Sequence, residues 1–168
     1  MRTRTGIICL SIIFSSIGEI NADWDSRLFL KGLRSVTVRV EAKSCEPYVI
    51  IERTVRTDTE LPLRQSGIKV SDTLVPEIGN AKLTVSIECG GVKDPKVDAI
   101  AFFTMVEVVQ FIPWRYQSKV IPVPVTTGRS PLALGIASSK NIEDITRKEI
   151  RDNLKEFINI WLSVNPNK

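Results

Sequence analysis

Histidine is absent from all 168 residues of this chain. Without imidazole, the commonest general base, the Ser–His and Cys–His nucleophile pairs and most catalytic zinc sets are closed to it. A serine beside a lysine is the remaining nucleophile–base pairing, at Ser118–Lys119 and Ser139–Lys140. Side chains adjacent in sequence rarely converge on one reacting atom, however. Glu143 and Asp144 have the groups of an acid–base couple, but a place in the first turn of a helix accounts for them through the helix dipole. The stretch CGGVKDPK, from Cys89, lacks the glycine-lysine-hydroxyl close of a phosphate loop and no helix follows it, so it reads as a hairpin connection. No catalytic residue, metal ligand or cofactor is assigned, and the chain is expected not to be an enzyme.

Binding chemistry is better represented. PWRYQSK carries Trp114, Arg115 and Tyr116, residue types enriched at binding hot spots, at the point where an apolar strand emerges into a loop. Trp114 has two readings, a contact anchor or a ring that closes the end of the core. TTGRS combines hydroxyls, a flexible glycine and the Arg129 guanidinium, enough to hold a small anion, although such stretches also make ordinary turns.

The amino-terminal run GIICLSIIFSSIGEINADW is shorter than the roughly 20 apolar residues that cross a bilayer. Arg2 and Arg4 precede it, Ser11, Ser15 and Ser16 interrupt it, and Ala22 offers a small residue for a peptidase. That is the layout of a secretory signal peptide over residues 1–22, leaving residues 23–168 as one domain with no membrane span. Ile20 is bulkier than the small residue preferred two places before the cut. Cys9 lies inside the apolar run without the small residues that precede a lipidated cysteine, so it is expected to leave with the signal. The formal net charge is +4, without a dense Lys/Arg stripe, which excludes nucleic acid as the expected partner of an exported protein.

The elements that must position these residues follow from periodicity. Val36, Val38 and Val40 alternate with Thr37, Arg39 and Glu41, the pattern of a strand with one buried face. Ile51, Val55 and Leu63 fall on one side of a helix ending at Gly67, with a kink or break expected near Thr59–Leu61 because Pro62 lacks an N–H. IKVSD should form a short strand. In AKLTVSIEC, Leu83, Val85, Ile87 and Cys89 share a face. AIAFFTMVEVVQFI is apolar on both faces, as a central strand covered above and below would be. KVIPVPVTT belongs on an edge, because Pro122 and Pro124 cannot donate to a ladder. After a Gly/Ser/Pro-containing loop, the longest helix buries Ile142, Ile145, Ile150, Leu154, Phe157, Ile158 and Trp161, with Asn141 as its cap and Pro166 as its stop. The expected core centres on Val38, Val85, Ile87, Phe103, Leu154, Phe157 and Trp161.

These faces are buried most simply in an α+β two-layer sandwich: one mixed sheet of four to five strands with two helices on one face, and a right-handed crossover through the first helix. The stretches TELPLRQSGIKV and LKEFINIWLSVNP resemble landmarks of a loosely defined group of small exported bacterial proteins. The matching positions are Glu60, Leu63, Arg64 and Gly67, then Phe157, Ile158, Asn159, Leu162, Asn165 and Pro166. Pro62 and the proline-rich edge depart from that pattern, and the resemblance implies fold and export only. The strand order also resembles the small α/β domain at the amino end of TolB proteins, a likeness of shape.

An oxidising compartment and an even count favour a Cys45–Cys89 bridge. The expected strand order opposes it. Cys89 would end a strand antiparallel to the first, across the sheet from Cys45, and a five-residue strand already spans roughly 17 Å. No disulfide is therefore expected. Together these features point to an exported, periplasmic or secreted, non-catalytic binding or scaffolding module of the bacterial cell envelope. The alternative is a carrier of an apolar small molecule or lipid in a cavity between the sheet and the final helix.

Overall fold

The computed structural model describes residues 30–45, 50, 52–91, 98–130 and 132–166. The expected signal peptide, Cys9, Ile51 and most of the CGGVKDPK connection lie outside the described residues. Strand β1, Ser35–Lys43, leads into helix α1, Glu52–Gln65, and then into a two-residue strand β2, Lys69–Val70. Strands β3 (Asn80–Gly91), β4 (Ile100–Tyr116), β5 (Lys119–Arg129) and β6 (Ala133–Ala137) follow, and helix α2, Ile142–Val164, closes the order. The six strands form one mixed sheet ordered β2-β1-β3-β4-β5, with β6 also on β4.

β4 is long enough to hold β5 along Glu107–Tyr116 and β6 along Ile100–Thr104. The two therefore act as one interrupted edge strand. At the break, the Ser130 N–H donates to the Val106 carbonyl and the Ser130 hydroxyl accepts from the Val106 N–H, continuing the ladder through a side chain. β6 arises from a stretch read as loop, which raises the strand count above the expected four to five. The outer edge of β1 is closed by α1: the Arg56 guanidinium donates to the Val38 carbonyl, and the Ala42 N–H donates to a Glu52 carboxylate oxygen. Capping an edge with side chains in this way withholds it from other strands.

The core lies between the sheet and the two helices. Trp161, Phe157, Leu154, Ile150 and Ile142 of α2 are fully buried, as are Val55 and Leu63 of α1, against Leu83, Val85, Ile87, Val106 and Val108. Arg147 on α2 joins the helices by donating to Asp58 on α1 at 2.6 Å, with Glu143 at 3.3 Å. Gly67, at φ +86°, ends α1 in the left-handed region, and the Ile68 N–H returns to the Leu63 carbonyl. The far end of α2 is tied down by Asn165. Its amide donates to the carbonyls of Leu30 and Trp161, and its oxygen accepts from the Gly32 N–H.

Several expectations are corrected. β1 and β3 are adjacent and parallel, from Ser35↔Asn80 to Lys43↔Glu88. The reason is the brevity of β2: after two residues the 71–79 loop returns the chain to the starting end of the sheet, so β3 begins where β1 begins. Cys45 and Cys89 consequently end side by side and form a disulfide, with Cα atoms 5.1 Å apart. α1 runs through Pro62 without a break. Asn141 makes no side-chain cap hydrogen bond, and its carbonyl accepts from Ile145 instead. The core includes Phe102 rather than Phe103, because the even-numbered positions of β4 face the helices. β4 is covered on that face only, so Phe103, Met105 and Val109 stay half-buried on the helix-free side.

Candidate functional site

The apolar alternation of β4 does not stop where its neighbours stop. Gln110 pairs with Ala81 near the start of β3, and beyond it β4 continues to Tyr116 with β5 as its ladder partner. The result is a two-stranded arm projecting from the six-stranded body. Gln117 and Ser118 turn the chain at its tip, both with positive φ (45° and 66°). That is the backbone of a type I′ hairpin turn, whose twist matches the flanking strands.

Cross-strand pairs on the arm sort its side chains into two faces. Ile112 lies opposite Val123, Trp114 opposite Ile121, and Tyr116 opposite Lys119. Since period-two alternation keeps i and i+2 together, this face continues the one that buries Val106 and Val108 further along β4. Ile112 is half-buried, and toward the tip the face opens. Trp114 and Tyr116 are each 59% exposed, and Ile121 is 43% exposed. The opposite face carries Arg115, Pro113, Pro122 and Val120, the last 52% exposed. The ribbon is thus apolar on both sides near its tip, and Trp114 does not close the end of the core.

The root of the arm is held firmly. Gly79 sits at φ +89° and donates its N–H to the Phe111 carbonyl, while its own carbonyl accepts from Arg34 at 2.6 Å. A Cβ there would stand 2.9 Å from the Gly32 carbonyl oxygen, so both the conformation and the space require glycine. Beside it opens a cleft of about 480 Å³ lined by Lys31, Arg34, Ile78, Gln110, Ile112 and Pro113, among others. Gln110 is buried, and its Oε1 has no hydrogen-bond partner among the described residues.

The residues singled out from the sequence do not all converge. Trp114 and Tyr116 share a face, and Arg115 points to the other side of the same ribbon. Arg129 does not join them. It lies opposite Glu107, roughly 30 Å along the strand from Tyr116, and its guanidinium is engaged in an ion pair with that carboxylate. Thr127 and Ser130 are buried in the sheet at the same place. The Thr127 and Ser130 hydroxyls and the Arg129 guanidinium are engaged across the β4–β5 strands. Ser139, one of the candidate nucleophiles, donates through its N–H and its hydroxyl to Asp98. Those bonds hold the Asp98 carboxyl below the usual carboxylate range.

The sequence reading placed KVIPVPVTT on an edge but missed its hairpin pairing with β4, which puts Val120 to Pro122 on the arm. A two-residue polar break, Gln117-Ser118, between apolar runs was the available signal. It also missed Leu134 and Ile136 of β6, 70% and 76% exposed, on the helix-free face.

No protein-family profile matches the chain, and no curated protein is similar to it in sequence. Solved structures that resemble it include the following three. Rare lipoprotein B from Shewanella oneidensis is 13% identical, with a TM-score of 0.37, over 78% of this chain and 97% of that one. A minor lipoprotein from Acinetobacter baumannii is 14% identical, with a TM-score of 0.39, over 78% and 92%. PelC from Paraburkholderia phytofirmans, solved as a dodecamer, is 9% identical, with a TM-score of 0.35, over 78% and 88%. At these scores the α+β assignment rests on this chain's own elements. No described helix is long and apolar enough to cross a membrane, and the described residues contain no cluster of metal-binding side chains.

Proposed function

We propose that this protein is an exported, non-catalytic contact module of the bacterial cell envelope, and that the β4–β5 arm is its contact surface. The observation that carries the reading is the exposure of Trp114 and Tyr116 on a ribbon that prolongs the core face beyond its helices. Exposed apolar surface costs free energy in water, and a contiguous patch of it marks an interaction site more often than a scattered residue does. Large amphipathic rings are also the side chains that contribute most to an interface per residue ordered. The Cys45–Cys89 disulfide supports export, because such bonds persist in oxidising compartments. The carrier reading finds less support: the layer where its cavity was expected is filled by Trp161, Phe157, Leu154 and Ile150.

The test is a pull-down from native envelope, followed by mass spectrometry of proteins and extracted lipids. The protein with Trp114→Ala and Tyr116→Ala should keep its melting temperature within about 2 °C, since neither side chain is buried, and should lose the bound component. Retention of that component by the folded double variant would refute the arm as the contact surface.

A further inference from the structure

We infer that the arm docks on an anionic lipid surface, with Trp114 and Tyr116 at the level of the headgroups and Arg115 and Lys119 against phosphates. This rests on the contact reading above and names the partner's chemistry. Three features of the arm select it.

The first is charge. From Val108 to Gly128 the chain carries Arg115 and Lys119 and no acidic residue, although acids are plentiful elsewhere. Both cations lie beside the tip, Arg115 opposite Val120 and Lys119 opposite Tyr116. Lys31 and Arg34 continue the cationic character at the cleft by the arm's root. Lysine and arginine next to a membrane surface are drawn to anionic headgroups over about a Debye length.

The second is that apolar side chains stand on both faces of the ribbon, Trp114 and Ile121 on one, Val120 and Pro122 on the other. A protein groove covers one face of a docking element. A lipid interface surrounds it, and tryptophan and tyrosine settle where one end of the ring is apolar and the other wet.

The third is the backbone. An isolated ribbon has two edges whose outward N–H groups would template another strand in water and would be stranded in a lipid interface. Here prolines remove donors from both strands, Pro113 in β4 and Pro122 and Pro124 in β5, and prolines survive in edge strands where the N–H would point away from the ladder. The arm is thereby ill suited to recruit a partner strand and less costly to place among lipids.

The experiment uses protein recovered from the exported fraction, with its amino terminus determined, so that the apolar run at residues 6–18 does not itself supply the binding. It should float with vesicles of phosphatidylethanolamine and phosphatidylglycerol but not with phosphatidylcholine alone. Lipid brominated near the headgroup should quench Trp114 fluorescence, and quenching should vanish in Trp114→Phe. Raising the salt from low to high concentration should weaken partition about tenfold. Arg115→Gln with Lys119→Gln, and separately Trp114→Ala with Tyr116→Ala, should each lower partition by about tenfold or more. Leu134→Ser with Ile136→Ser, equally exposed but on β6, should leave it unchanged. Failure to float with anionic vesicles, or equal loss in the β6 variant, would overturn the inference. If vesicles are ignored while the Trp114/Tyr116 variant still loses an envelope protein in the pull-down, the lipid assignment falls and the contact reading stands. If the variant loses neither, both fall.

Discussion

Cutting the Cys45–Cys89 bridge tests the parallel β1–β3 pairing directly. The two cysteines are 44 positions apart in sequence. In the chain-entropy treatment, releasing a loop of that length from the unfolded ensemble costs the folded state about 4 kcal/mol at 25 °C. Reduction removes no atoms from the core, and both side chains are buried, so reductant must act on unfolded protein. The assay is urea unfolding followed by circular dichroism, on oxidised protein, on protein unfolded and refolded in reductant, and on the Cys45→Ala/Cys89→Ala variant. With a urea slope of about 2 kcal/mol per molar for a domain of this size, the reduced midpoint should fall by about 2 M. The alanine variant should fall at least as far, since it also loses two buried sulfur atoms. Midpoints agreeing within about 0.5 M, or alkylation of both Cys45 and Cys89 in unreduced, unfolded protein, would refute the reasoning and with it the parallel register.

Three further outcomes are expected. Phe157→Ala, at a fully buried position on α2, should destabilise by about 3–5 kcal/mol in the same urea assay, and a shift of a few tenths would mean that α2 does not close the core. Asn165→Ala removes the side chain that binds Leu30, Gly32 and Trp161; the backbone groups left without partners should cost about 2–3 kcal/mol, and Asn165→Asp should not restore the two bonds donated by the amide. The Asp98 carboxyl, lowered first by its backbone bond from Ser139 and then by the Ser139 hydroxyl, should titrate below 3.8 by carboxylate NMR. Because its folded value is the depressed one, its stabilisation is present above the unfolded value and is lost as the pH falls through the folded one. Ser139→Ala should return the titration part of the way toward 3.8, and an unshifted titration in the unsubstituted protein would show that this clamp is absent.

The aromatic-basic stretch Trp114–Tyr116 was legible because its residue types are unusual at the end of an apolar strand, and Phe157 and Trp161 because helical spacing placed them on one stripe. That Arg129 lies apart from the arm and pairs with Glu107 was not legible, for a physical reason. Whether a guanidinium is free or paired depends on what lies across the ladder, and Glu107 is 22 residues away in sequence. Phe102 rather than Phe103 faces the core, and a strand with apolar residues on both faces carries no internal signal of which face meets the helices; that parity is set by the register with β3.

The order of residues already sets the class of fold, through runs of period two and period 3.6, and the closing helix with its apolar stripe. It also determined that imidazole chemistry is absent, and that prolines confine β5 to an edge. These are local properties, encoded in residue type and spacing. Folding is what sets β3 parallel to β1, brings Cys45 to Cys89, and lets β4 outrun its neighbours to raise an arm. Each of these depends on how far a strand continues before its partner ends. β2 stops after two residues and β4 runs on past Gln110, and such lengths are set by competition among neighbouring strands and helices for the same surface, which no single segment records.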